Sequence, residues 1–209
     1  MDDERQAVAY ARADFGASNQ SFVDGLTRDF PRPLHSAVDI GCGPGDVDIR
    51  LARAAPDLVI TAVDGSAPMI ALASEAVRAA GLEQRIGLVC ARVPTAILGD
   101  HVFDAVLSKD LLHHLPDSSV LWKEVARLGR PGAVVYVMDL VRPSSPGAAH
   151  RIVDTVAGSE DPILQVDFYN SLCAAFTVNE VRDQLAAAGL DLRVTLAGER
   201  HLLVSGLLR

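Results

Sequence analysis

Cysteine, aromatic side chains and positive charge are all scarce in this chain, and each scarcity removes a class of protein. The three cysteines, Cys42, Cys90 and Cys173, are far apart and make no CxxC pair, so neither a disulfide framework nor a zinc site is indicated. A reducing cytoplasm is the expected compartment. Lys and Arg number 19 against 27 Asp and Glu, a formal net charge of −8, and no dense basic run occurs. Binding to phosphate backbones depends on such a surface, so the expected partner is a small molecule, with no nucleic acid. No apolar run approaches the roughly 20 residues of a membrane span, and Met1-Asp2-Asp3-Glu4 is the reverse of a secretory leader's basic start. No membrane association is expected. The oligomeric state is left open, a homodimer being one of the states allowed.

What is present suits an ordinary globular domain: 209 residues, 49% hydrophobic and 22% charged, within the usual size of one domain. Residues 1–30 carry apolar positions at helical spacing (Val8, Ala11, Phe15, Phe22, Leu26, Phe30), and Pro31 and Pro33 then stop them. From Ser36 short apolar strands alternate with amphipathic helices, the pattern of a parallel sheet with crossover helices. Strands are expected near 37–41, 58–63, 86–90, 102–108 and 133–139, and a further pair near 191–196 and 201–207. Ser66 with Pro68 reads as one helix start, Asp117 as another, and Thr177 with Glu180 as a capping box. Residues 141–176 break the alternation with Pro143, Pro146, Gly147, Gly158 and Pro162. Lying past the fifth strand, they are expected to cover the sheet's carboxyl edge, where open parallel sheets hold ligands.

The densest chemical signal is Val38-Asp39-Ile40-Gly41-Cys42-Gly43-Pro44-Gly45, a strand end running into a turn of alternate glycines. Glycines there permit positive φ and a close approach of ligand to backbone. The spacing is GxGxG and not the dinucleotide fingerprint GxGxxG, which points away from a pyrophosphate cofactor. Asp64 ends the next strand, where a carboxylate can accept hydrogen bonds from both hydroxyls of a ribose. Asp39 stands behind the loop, placed to orient it or to meet a cationic amino group.

This constellation resembles the first signature of class I S-adenosylmethionine-dependent methyltransferases. Val63-Asp64-Gly65-Ser66-Ala67-Pro68-Met69 resembles the family's ribose-binding turn, and Phe103-Asp104-Ala105-Val106-Leu107-Ser108 its fourth strand. Leu128-Gly129-Arg130-Pro131-Gly132-Ala133 resembles its L-x-P-G-G turn, with Ala133 replacing the second glycine. The resemblance implies an α/β fold: a doubly wound, mostly parallel seven-stranded sheet with an antiparallel last strand and helices on both faces. It implies one methyltransferase domain over 1–209: an N-terminal helical segment (1–35), a cofactor-binding core (36–140), a substrate lid (141–176), then the last helix and strand pair (177–209). The implied cofactor is S-adenosylmethionine, leaving as S-adenosylhomocysteine, with no metal.

By the same resemblance Asp39, Gly41, Gly43 and Gly45 surround the methionine portion, Asp64 and Gly65 hold the ribose, and Met69 lies against adenine or, equally, in the core. The family often places an acid after the third strand to face the adenine amino group; Cys90-Ala91-Arg92-Val93 has none, so backbone of Ala91 or Arg92 is the expected substitute. Tyr10 is expected to fold over the cofactor. Lys109 can pair with Asp110 at the pocket wall and is counted with the cofactor-binding residues.

Methyl transfer from a sulfonium is an in-line displacement for which alignment supplies much of the rate. A base is needed only where the acceptor carries a proton, and histidine suits that task. His113 and His114, in a stretch resembling the family's LHHL, are the catalytic candidates, although either can simply pack or bond backbone. His114, Asp139, Arg151 and Tyr169 are expected on the acceptor side. The reading is therefore a small-molecule methyltransferase acting on O, N or C. The alternatives are a cofactor-assisted rearrangement or cyclisation without transfer, a cofactor-binding regulatory subunit, and, on fold grounds alone, an NAD-linked oxidoreductase.

Overall fold

The computed structural model describes residues 4–13 and 15–209. Seven strands, β1 Ser36–Ile40, β2 Val59–Asp64, β3 Ile86–Cys90, β4 Phe103–Lys109, β5 Gly129–Leu140, β6 Arg193–Ala197 and β7 His201–Leu207, form one sheet in the order β3-β2-β1-β4-β5-β7-β6. Strands β1 to β5 pair in parallel; β7 inserts between β5 and β6, antiparallel to both. The central strands read as nearly unbroken apolar runs because both of their faces are covered.

Those faces take different helices. Against one lie α2 Gly16–Asp29, α3 Asp46–Ala54 and α4 Ala67–Ala79, whose Phe22, Leu26, Leu51 and Val77 meet Ala37, Ile60, Leu107 and Tyr136. Against the other lie α5 Ser119–Leu128 and α8 Val178–Ala187, whose Leu121, Trp122, Val125, Val181 and Leu185 meet Val38, Ile40, Val106, Val135 and Val204. The remaining helices, α1 Glu4–Arg12, α6 Pro146–Ala157 and α7 Pro162–Ala174, stand off the carboxyl edge. There α6 and α7 share a small core of Leu140, Ala149, Val153, Leu172 and Ala175 with the end of β5, and α1 packs on α7 and α4. Among the described residues no helix is long and apolar enough to cross a membrane.

The helix starts follow their sequence signals. Ser66 accepts from Met69 N–H at 3.4 Å, Ser145 from Ala148 N–H at 3.2 Å and Asp161 from Ile163 N–H at 2.8 Å, and each is followed by a proline in the first turn. One expectation needs adjusting: β5 begins at Gly129, four residues before the expected start, because Gly129 still pairs with Phe103 across a register shift and the Pro131-Gly132 turn lies inside the strand. The stretch 141–176, expected to hold helical pieces, consists mainly of the two helices α6 and α7, with Pro146 and Pro162 in their first turns.

Helix α8 begins with the expected capping box: Thr177 N–H donates to Glu180 Oε2 at 2.7 Å and Glu180 N–H to Thr177 Oγ1 at 3.3 Å. It also carries Gln184, whose Oε1 accepts from the buried Trp122 indole at 2.9 Å. Thr177→Ala is expected to cost about 1 kcal/mol and to lower the thermal midpoint by roughly 2–4 °C; an unchanged melting curve would show that the box contributes nothing.

Candidate functional site

The site is assembled where β1, β2 and β4 end. Gly41 and Cys42 N–H both donate to Val63 O, at 2.8 and 3.0 Å, stitching the glycine loop to the end of β2. Asp64 completes the seam. Its Oδ2 accepts from Gly43 N–H at 2.9 Å, its Oδ1 from Ser66 N–H at 2.8 Å, and its carbonyl from Ala91 N–H at 2.9 Å. Gly43 has φ +55 and open space where a Cβ would stand, so the loop presents bare backbone to any ligand. Gly41, at φ +83, would drive a Cβ to 2.9 Å from that of Leu111.

The end of β4 supplies charge. Lys109 Nζ and Asp110 Oδ2 form a close ion pair, and His201 Nε2 at the start of β7 lies 3.5 Å from Asp110 Oδ1. Burial alone would raise the Asp110 carboxyl, but Lys109 and His201 outweigh it and hold the group well below the ordinary carboxylate range. Its backbone is left-handed, φ 57, a region that aspartate tolerates better than most residues. The turn Leu112–His114 follows. Asp139 at the end of β5 accepts from Leu112 N–H at 2.7 Å and meets His113 Nδ1 at 2.7 Å, both side chains being buried. Burial pulls His113 down, yet the hydrogen bond and charge of Asp139 prevail and raise the imidazole above its ordinary value. The His114 ring lies 4.0 Å from that of His113 and is held below its ordinary value by desolvation and by that neighbour.

Helix α1 closes the arrangement. Tyr10, its ring 4.6 Å from that of Phe15, is raised by burial and by the charges of Asp110, Asp64 and Asp139, which places its phenol among the carboxylates of the sheet edge. A cavity of about 390 Å³ is bounded by Tyr10 and Phe15, by Asp39, Gly41 and Gly43, and by Lys109 and Asp110.

Of the expected cofactor residues, Tyr10, Asp39, Gly41, Gly43 and Lys109 therefore share one cavity. Gly45 is the N-cap of α3, and Asp64 bonds the loop from behind. Gly65 lies against the Arg92 side chain, 2.8 Å from a Cβ built on the glycine, so the segments expected to flank adenine are adjacent. Met69, in the first turn of α4, is 2% exposed. Asp139 holds His113. Tyr169 is half-buried on α7, stacked on His150 at 4.2 Å, and Arg151 is exposed on α6; neither lines the cavity.

Sequence reasoning missed two residues. His201 arrives through the antiparallel strand, and Asp48 lies buried beside Asp39. Asp48 could have been noticed as an acid on the buried stripe of α3, between Val47 and Ile49; His201 carries no comparable signal.

Comparison with known proteins agrees with this geometry. Residues 38–137 match the family model described as a methyltransferase domain. Over 117 residues the chain is 33% identical to a demethylmenaquinone methyltransferase of Bacillus cytotoxicus, covering 56% of this chain and 49% of that protein. Over 154 residues it is 27% identical to a 27-O-demethylrifamycin SV methyltransferase of Amycolatopsis mediterranei, covering 74% and 53%. The chain thus spans about half the length of these curated relatives. The structure of a SAM-dependent methyltransferase from Aquifex aeolicus superposes with a TM-score of 0.75 over 99% of each chain at 17% identity, a likeness of fold.

The His113–Asp139 pair can be tested by titration. Because the folded protein raises His113 above its usual 6.5, its contribution to stability is complete below the unfolded value and is lost as pH rises through the folded one. Asp139→Asn is expected to move the His113 midpoint downward, read from its ring-proton resonance. A midpoint that stays in place would mean that Asp139 does not set it.

Proposed function

We propose that this chain, whose residues 38–137 belong to the methyltransferase domain family, transfers a methyl group from S-adenosylmethionine to a small-molecule nucleophile. The observation that carries the reading is the Asp64 joint. Each of its oxygens already accepts one backbone N–H, and a carboxylate has about four lone-pair sites, so two remain for the two hydroxyls of a ribose. The cofactor supplies the activated methyl group. Lys109 in the cavity wall suits the carboxylate of its methionine portion, and Asp39 suits the positive charge beside it. The bare backbone at Gly43 allows the chain to approach closely, and Ala91 and Arg92 would hold adenine through their backbone. Tyr10 would cover the bound cofactor from α1.

For the acceptor, the turn carrying His113 and His114 packs against α7, so the nucleophile would enter beneath the helical lid, with Tyr169 and Arg151 among the lid residues that recognise it. Asp139 holds His113 by Nδ1, which fixes the ring and its tautomer and leaves Nε2 to accept a proton from a hydroxyl or ammonium acceptor. The neutral His114 ring beside it would bound the acceptor. Where the nucleophile carries no acidic proton, alignment alone suffices.

Calorimetry with S-adenosylmethionine and S-adenosylhomocysteine is expected to show saturable binding of both, and Asp64→Ala is expected to weaken it by at least about tenfold, one lost charge-assisted hydrogen bond being about 1.5–3 kcal/mol. Folded protein that binds neither would refute the cofactor. With an acceptor in hand, the product must gain one CH₂ equivalent; no gain would indicate a reaction without transfer. For a protonated acceptor, kcat is expected to rise with pH as His113 loses its proton. His113→Ala should lower kcat by about 10²–10⁴ and abolish that rise, whereas a retained acid limb would assign the base elsewhere.

A further inference from the structure

Beneath the glycine loop stand two buried carboxyl groups that, among the described residues, form no ion pair. Asp39, at the end of β1, is 2% exposed, and Asp48, in the first turn of α3, is 1% exposed. Among the described residues, Asp39 Oδ1 and both oxygens of Asp48 have no hydrogen-bond partner. Each carboxyl acts on the other, and because two carboxylates offer only acceptors, the pair can bond to one another only if a proton is shared. Asp48 Oδ2 lies 4.0 Å from where a Cβ on Gly45 would stand, directly under the loop, and Asp39 lines the cavity.

We propose that Asp39 and Asp48 share one proton in the cofactor-free protein and release it to solvent when the cationic methyl donor seats on the glycine loop. This rests on the cofactor reading above. S-adenosylmethionine carries a sulfonium and an ammonium against one carboxylate, a net charge of +1, whereas S-adenosylhomocysteine has lost the sulfonium and is neutral. The ionised pair attracts the donor and not the product, so the pair regains its proton after transfer and the product is bound less tightly. Asp48 is thus a positioning residue acting through Asp39, and the two together discriminate donor from product by charge.

The groups around the pair fix the sign. Asp64 from β2 and Asp46 from α3 add negative charge, Lys109 from β4 opposes them, and the Cys42 thiol of the loop is pushed up by burial and by these acids. Asp46 is itself engaged by Arg50 and by Asn19 of α2, and Tyr10 of α1 forms another wall of the cavity. Burial dominates for both, with Asp64 next for Asp39, which is pushed up to about 7, and Asp39 next for Asp48, which is pushed well above its usual value. A positive ligand lowers both, and donor affinity rises with pH, by at most about tenfold per unit for one linked proton.

Two measurements on the full chain test this. Infrared spectra of the cofactor-free protein at pH 7 should show a protonated-carboxyl carbonyl band that disappears in Asp48→Asn, whose amide can donate to an ionised Asp39 without a shared proton. Calorimetry in phosphate and in Tris should show proton release on binding S-adenosylmethionine, less on binding S-adenosylhomocysteine, and none in Asp48→Asn, whose preference for donor over product also falls. Asp39→Asn provides the same comparison should Asp48→Asn not fold. Absence of the carbonyl band, or equal proton release in wild type and variant, overturns the proposal. A band without any cofactor binding leaves the pair standing and refutes the cofactor reading.

Discussion

The glycine loop and the two segments beside it depend on one residue, Asp64. Asp64 links the glycine loop through Gly43, the start of α4 through Ser66, and, by its own carbonyl, the chain leaving β3 through Ala91. Three segments that would otherwise end independently are thereby held in one register. A loop of alternate left-handed glycines has little intrinsic stiffness; two hydrogen bonds to Val63 O and one to Asp64 supply it from outside. The arrangement places bare backbone against open space without leaving the loop floppy, which is the condition for a preorganised binding surface.

The same edge concentrates acid. Asp39, Asp48, Asp64, Asp110 and Asp139 gather within the reach of Tyr10, Lys109, His113 and His201, and each is settled by a different device. Asp110 has a cation, Asp139 has an imidazole and a backbone N–H, Asp64 has two backbone N–H groups, and Asp39 and Asp48 have each other. Five acids at one edge are tolerable because backbone N–H groups, an imidazole and Lys109, which acts on both Asp110 and Asp39, divide the compensation, and because a cationic ligand adds a further counter-charge when present.

Much of this was legible in the chain itself. The central strands announce themselves because burial on both faces demands continuous apolar runs, and Ser66, Asp117 and the Thr177–Glu180 box mark helix starts by chemistry local to a few residues. The glycine loop and Asp64 are readable because their roles depend on backbone conformation and on position after a strand. What could not be read is pairing across distance. His113 finds Asp139 twenty-six residues away, and His201 reaches Asp110 through a strand that runs against its neighbours.

The antiparallel insertion of β7 has a consequence for the order in which the protein can be made. Because β7 runs backward, its first residue, His201, and not its last, arrives at the edge where Asp110 waits, and β6, paired only with β7, joins the sheet through it. A ribosome delivers Asp110 ninety-one residues before its histidine. During that interval β5 presents an unpaired edge, and Asp110 has Lys109 alone for company. The emerging chain can therefore build its glycine loop early, from β1 and β2, while the charge balance of the opposite wall waits until the hairpin of β6 and β7 has been synthesised and docked.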